Sequence, residues 1–170
     1  MLRRLRSEGH EATLSIKGPR PETVDFMQSP GRAADMEHYR QVYQQIDSDP
    51  LLAGRVSFEG WGNDVAIWYR KIDHILSCSD FESFHYALAD GVLSGCQPIV
   101  WPWDGADRTY RSDWIVADEP AAVERILQWR NLSANERRDR QEANRAFIAG
   151  RYGHEKVFGE ISRILGLNGD

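Results

Sequence analysis

A repeated exchange between two hydrophobic periods constrains this chain more than any other feature. Residues 11–17 alternate apolar and polar positions and stop at Gly18-Pro19, which predicts a strand running into a loop. Pro, Gly, Arg and Ser dominate 19–33, the longest loop candidate. Asp35 then opens an amphipathic helix through Tyr39, Val42, Tyr43 and Ile46 that ends before Pro50. A second strand, 55–60, leads into Trp61-Gly62-Asn63-Asp64, where Asn63 or Asp64 can cap a helix over 65–71. A third strand, 73–78, precedes a helix from about Ser83 to Ser94, closed by Gly95. A fourth strand spans 97–101 and a fifth 113–117, after which Glu119-Pro120 starts another helix. Strand and helix thus alternate with short connections, and the expected class is α/β, a parallel sheet with helices on both faces. The tail 134–165 is helical and has no matching strand; its many Arg and Glu residues read as a solvated, salt-bridged face.

Composition removes several other classes. The 170 residues carry 21 Lys+Arg against 26 Asp+Glu, a net charge of −5, and 41% are hydrophobic. Such a chain is long enough for one domain with its own core. Its mild negative charge disfavours nucleic acid as the main partner, since phosphate backbones reward a strong positive field. No run approaches the roughly 18 apolar residues of a membrane span, so no transmembrane segment is expected. Cys78 and Cys96 are too few for a disulfide framework and lack zinc spacing, so they read as small buried thiols of a reducing cytosol, and no metal site is expected. Residues 1–6 are basic, but no apolar stretch follows, so they do not form a signal peptide; their spacing predicts the last turns of a helix closed by Gly9.

Open parallel sheets bind ligands beyond the carboxyl ends of their strands, where helix N-termini offer free N–H groups. Four segments are predicted to meet there: Gly18-Pro19-Arg20, Gly60-Trp61-Gly62-Asn63, residues 77–85, and Trp101-Pro102-Trp103-Asp104-Gly105. Ser79, Asp80, Ser83 and His85 are polar residues beside a strand expected to be buried. On a continuous helix Glu82 and Asp90, eight positions apart, would share a face about 12 Å apart along the axis. That separation is too long for a hydrolase pair acting on one bond, and it suits two parts of an extended polar ligand. The plainer alternative makes Glu82 a dipole-compensating first-turn residue and Asp90 a solvated one. No G-x-S-x-G, H-E-x-x-H, G-x-G-x-x-G or P-loop pattern occurs.

The stretch 77–100, Ser-Cys-Ser-Asp-Phe-Glu-Ser-Phe-His-Tyr-Ala-Leu-Ala-Asp-Gly-Val-Leu-Ser-Gly-Cys-Gln-Pro-Ile-Val, resembles the signature of the C-terminal, donor-binding domain of group 1 glycosyltransferases of the GT-B fold. Val56-Ser57-Phe58-Glu59-Gly60 and the segment 115–118 before a helix resemble further parts of it, and the likeness spans roughly 10–165. The resemblance implies a Rossmann-like domain and a retaining transfer of a sugar from a nucleotide-diphosphate sugar, UDP- or GDP-linked, with no further cofactor. It implies that Glu82, Ser83, Phe84 and His85 meet the donor sugar and its diphosphate, with His85 able to contact phosphate. Asp90, where the family has Glu, would meet the ribose; Gly60, Trp61 and Gly62 would approach the nucleotide; Asp104 and Gly105 would belong to a donor loop.

The same resemblance implies that the family's first strand, with its basic Gly-Arg…Lys-Gly loop, and the N-terminal acceptor domain are missing from this chain, which would be inactive alone. Arg20 and Arg32 are the basic residues expected near the donor instead. Loss of a central strand predicts a gap, a direct pairing of its neighbours, or an edge covered by another copy in a homo-oligomer. The expected location is the cytoplasm, with any peripheral contact to the inner membrane left to the missing domain. Two other readings stay open: a non-catalytic α/β interaction domain, allowed by His85 and Asp90, and part of a sugar-nucleotide epimerase.

Overall fold

The computed structural model describes residues 1–167, which fall into two compact units, one ending at Val65 and the other beginning at Ala66. The first unit begins with helix α1 (Leu2–Ser7), whose buried residue is Leu5. Its end is closed as the sequence predicts. Gly9 takes φ 82°, its N–H donates to the Arg6 carbonyl (3.1 Å), and the His10 N–H donates to the Leu5 carbonyl (3.0 Å). That pair of bonds satisfies two carbonyls the helix leaves free.

Strand β1 (Leu14–Lys17) pairs in parallel with β2 (Val56–Glu59), Leu14 opposite Val56 and Lys17 opposite Glu59. The long loop between them is ordered into three successive 3₁₀ turns, Pro21–Thr23, Asp25–Gln28 and Pro30–Arg32. Proline opens the first and third, where its fixed φ helps and its missing N–H costs nothing. Helix α2 (Ala33–Ser48) follows, and its Tyr43 meets Phe58 of β2 edge-on at 5.3 Å. Asp49 ends it: one carboxylate oxygen accepts from the Leu51 N–H (2.8 Å), the other from the Arg3 guanidinium (2.7 Å).

The chain enters the second unit through the short helix α3 (Val65–Tyr69), in which Trp68 and Tyr69 are buried. Strand β3 (His74–Ser77) pairs in parallel with β4 (Gln97–Val100), and the helix between them is α4 (Tyr86–Ser94). All four residues of β4 are buried, as expected of a parallel strand covered on both faces. Gly91 brings α4 close to β3, since a Cβ there would stand 3.0 Å from Ile75. Gly95, at φ 108°, ends α4 with the same two-bond device as Gly9.

The fifth strand is reduced to a parallel bridge between Val100 and Ile115, with the Val116 N–H donating to the Val100 carbonyl (2.9 Å). The residues ahead of it coil instead of extending. Arg111 grips the Asp113 carboxylate with two bonds (2.8 and 3.0 Å), and Ser112–Trp114 forms a 3₁₀ turn. Helix α5 (Ala106–Thr109) precedes this turn, and α6 (Glu119–Arg130), capped by Asp118, follows it. The helical tail is two helices, α7 (Ala134–Tyr152) and α8 (His154–Ile164). A Ser133–Glu136 capping box starts α7. Gly153 separates the two with ψ 146°, and a Cβ at that position would lie 2.3 Å from the Ala149 carbonyl oxygen.

The core of the second unit gathers Leu88, Ala89, Val92, Val100, Ala106, Tyr110, Trp114 and Ile148. Helix α7 is fastened to α4 through backbone carbonyls: Gln141 donates to Gly95 (2.8 Å) and Arg145 to Leu93 (3.0 Å). Beneath them the buried Asn144 accepts from the Trp114 indole (3.2 Å) and donates to the Gln97 side-chain oxygen (3.1 Å). The fold is therefore mixed α/β, with two parallel two-stranded ladders. Among the described residues no helix is long and apolar enough to cross a membrane.

Candidate functional site

In the second unit the carboxyl ends of β3 and β4 are Ser77 and Val100, and the segments that leave them are 78–85 and 101–105. Tyr110 ties these segments together. Its hydroxyl accepts the His85 N–H (2.9 Å), and its ring lies 6.3 Å from both Phe84, stacked, and Trp103, edge-on. Phe84 also packs against Tyr86 (5.0 Å) and Tyr152 (4.7 Å), so the loop before α4 is anchored by aromatic packing. Burial pushes the Tyr110 hydroxyl above the usual tyrosine range, which keeps it neutral and able to hold the loop.

This anchoring sets where α4 begins. Its first residue is Tyr86, three positions later than the sequence spacing predicts: His85 is extended (φ −89°, ψ 94°) and its N–H is held by Tyr110. Glu82 therefore precedes the helix. Its carboxylate accepts the N–H of its neighbour Ser83 (3.0 Å), and the half-buried side chain sits in the loop. Asp90 is exposed on α4 itself, so the two carboxylates do not share a helix face by helical repeat. The Asp90 charge is felt at Tyr69, whose hydroxyl is raised first by burial and then by that carboxylate.

The N-terminus of α4 has no side-chain cap and no acidic residue in its first turn. The His85 N–H is taken by Tyr110 and the Leu88 N–H by the His85 carbonyl, while no acidic side chain of the first turn offsets the helix dipole, a setting that favours an anion. Three buried polar atoms without a hydrogen-bond partner lie in the same strand-end segments: the Ser77 hydroxyl, Nδ1 of His85 and the Trp103 indole N–H. Such atoms are costly to leave unpaired in a core. Flanking Glu82 on either side, Phe81 and Tyr86 are 87% and 76% exposed, far more than aromatic side chains of this size usually are. Asp104 is exposed, and Gly105, at φ 100°, opens α5 with Trp103 packed 3.3 Å from where its Cβ would be.

In the first unit, the carboxyl ends of β1 and β2 lead into Gly18 and Gly60-Trp61-Gly62. Trp61 is 77% exposed, its ring lying 3.7 Å from the Cβ position of Gly18. Lys17 is engaged by Asp64 (2.9 Å), and the Arg20 guanidinium lies 5.0 Å from the rings of both Tyr43 and Phe58. Arg32 lies over Phe26 and bonds Asp35 (2.9 Å). Both arginines anticipated as donor-binding residues are therefore held by partners of their own.

The thiols differ from the expected pair of buried ones. Cys96 is buried, bonds the Tyr69 carbonyl (3.4 Å) and is pushed by burial up to about 11, which makes it inert, whereas Cys78 is exposed. Among the described residues no group of three His, Cys, Asp or Glu side chains is arranged to hold a metal ion. Sequence reasoning missed Tyr110 altogether. Its signal is that it is the one large apolar residue in an otherwise polar stretch, Asp107-Arg108-Thr109-Tyr110-Arg111. Comparison with protein-family models, with curated proteins and with solved structures finds no match to this chain.

Proposed function

We propose that this chain is the donor-binding half of a retaining glycosyltransferase, a Rossmann-like domain that holds a nucleotide-diphosphate sugar. The observation that supports this reading is the end of β3: a parallel strand, a loop carrying Glu82, and an α4 N-terminus with no cap or acid of its own, next to the unpartnered Ser77 hydroxyl and His85 Nδ1. A negatively charged, many-hydroxyl ligand matches the accessible groups of this set, the α4 N-terminus and Glu82. The diphosphate takes the helix N-terminus and His85; Glu82 accepts from sugar hydroxyls; Asp90 accepts from a ribose. Ring faces such as those of Phe81 and Tyr86 suit the C–H face of a pyranose.

In transfer, the bond from the sugar anomeric carbon to the diphosphate breaks, and negative charge grows on the departing phosphate oxygen. Fixed N–H groups aimed at that oxygen stabilise the charge without reorganising. The role of this chain is accordingly to bind the donor and stabilise the leaving group, while the acceptor hydroxyl oxygen bonds to the anomeric carbon and its proton leaves with the diphosphate.

Calorimetric titration with UDP, GDP and their sugars tests the proposal, one pair being expected to bind saturably. Asp90→Glu separates it from the second reading, a non-catalytic α/β interaction domain, which His85 and Asp90 favour by departing from the family pattern. A working donor site responds to the added methylene with a several-fold change in nucleotide affinity; an interaction domain shows no nucleotide binding before or after.

A further inference from the structure

In the first unit the chain leaves a tryptophan in water. Trp61 is 77% exposed, although its ring is among the side chains that gain most from burial. Its position is nevertheless supported. The Gly18 N–H donates to the Glu59 carbonyl (2.7 Å), which carries the β1–β2 ladder one bond past both strands and sets Gly18 beside Gly60. The outer edge of the indole, Cζ2 and Cη2, rests 3.7 and 3.9 Å from the Cβ position of Gly18, and the rest of the ring is open.

The groups beside the ring are polar and balanced in charge. The Lys17 ammonium donates to the Asp64 carboxylate (2.9 Å); the lysine side chain is 10% exposed and the aspartate side chain 56%. Gly62 makes room for that carboxylate, since a Cβ there would stand 2.7 Å from Asp64 Oδ1. Asn63 is exposed, and among the described residues neither its amide nor the Trp61 indole N–H has a hydrogen-bond partner. Donors are therefore on offer from the indole and the amide, and acceptors from the amide and the carboxylate, whose oxygens each take more than one bond. Lys17 is matched by Asp64 and the Arg20 guanidinium lies over Tyr43 and Phe58, so no unbalanced cation stands here for a phosphate. A flat apolar surface bordered by mixed donors and acceptors fits a pyranose, which has a C–H face and a rim of hydroxyls that both donate and accept. A nucleotide fits less well because its phosphates call for cations, and an apolar side chain would leave the polar border unpaired. We propose that Trp61, Asn63 and Asp64 form a binding site for a neutral pyranose residue of a glycan, the sugar ring stacked on the indole and its hydroxyls bonded to the amide and the carboxylate. The site uses residues of the first unit alone and does not depend on the donor-binding reading.

One stacked face and a few hydrogen bonds give weak binding, with a dissociation constant on the order of 1 mM. Among the six tryptophans, Trp61 is identified in a heteronuclear NMR spectrum by the indole N–H signal that Trp61→Phe removes. Titration of the chain with cellobiose, lactose and mannobiose, each to roughly 20 mM, should shift that signal saturably with at least one of them. Read from the backbone amides of 60–64, Trp61→Ala should abolish binding of that sugar, and Trp61→Phe and Asn63→Ala should each weaken it several-fold, with the far-UV circular dichroism unchanged. Should a Trp61 variant lose structure, Asn63→Ala, at an exposed side chain, carries the test. No shift with any of the three sugars overturns the proposal. So does a Trp61 signal that moves with UDP or GDP and not with a sugar, or sugar binding indifferent to the Trp61 and Asn63 variants.

Discussion

Asn144 is the residue on which most of the second unit's buried polarity depends. It joins an indole N–H from the 3₁₀ turn to a glutamine on β4, and both partners are themselves buried. Asn144→Leu leaves the Trp114 donor and the Gln97 oxygen unpaired at once, each costing about 1–3 kcal/mol. A loss of at least about 2 kcal/mol in urea unfolding is expected, and an unchanged midpoint would show that the two groups find other partners. His74 makes the second residue-scale prediction. Burial drives its imidazole down to about 4, opposed only in part by Asp73, and the ring stands edge-on to Trp129 at 6.3 Å. The folded state therefore stays neutral between about pH 6.5 and 4 while the unfolded chain takes up a proton. Stability falls as pH drops through that window, by about 3 kcal/mol in total, and is level above it as far as this group is concerned. His74→Phe should remove that part of the pH dependence, which stability measured at several pH values reads directly.

Among the elements, the close contact of α4 with β3 is the most exacting. Gly91→Ala places a methyl 3.0 Å from Ile75 in a packed core, and an overpacking cost of about 1–3 kcal/mol is expected in denaturant unfolding. A stable variant would mean that α4 can move outward freely. The elements also show what could be read in advance. α2, α6 and the four strands were legible because period, cap and breaker agreed over short stretches: Asp35 to Pro50, Asp118 before Glu119-Pro120, Gly95 after Ser94. The start of α4 was not, because His85 stands extended in a loop anchored by Tyr110, 25 positions away. Sequence spacing therefore overstated the helical link between Glu82 and Asp90. The fifth strand failed for a local reason, the Arg111–Asp113 clamp, which favours a turn over an extended run. The break in the tail rests on Gly153, where helical continuation gives way to extended ψ.

Over the whole molecule, the sequence suggested one alternating sheet, and the described residues form two units, each with its own parallel ladder. Within each unit the loops leave the strands at their carboxyl ends, as anticipated. The segments 78–85 and 101–105 are gathered around Tyr110, and Trp61 stands against Gly18. The basic side chains expected for a diphosphate are the part that did not appear as imagined, since Arg20 and Arg32 are stacked on aromatic rings. This shifts the proposed phosphate contact onto the α4 N-terminus and His85. The most direct test is therefore calorimetric titration of the chain with UDP, GDP and their sugars, repeated with Glu82→Gln. Saturable binding of one nucleotide and its sugar is predicted. The variant should keep the affinity for the free nucleotide and lose about tenfold for the sugar nucleotide, as expected when a carboxylate that accepts from sugar hydroxyls is removed. No saturable heat with any of the four ligands, or a sugar nucleotide bound equally well by both proteins, would contradict the account.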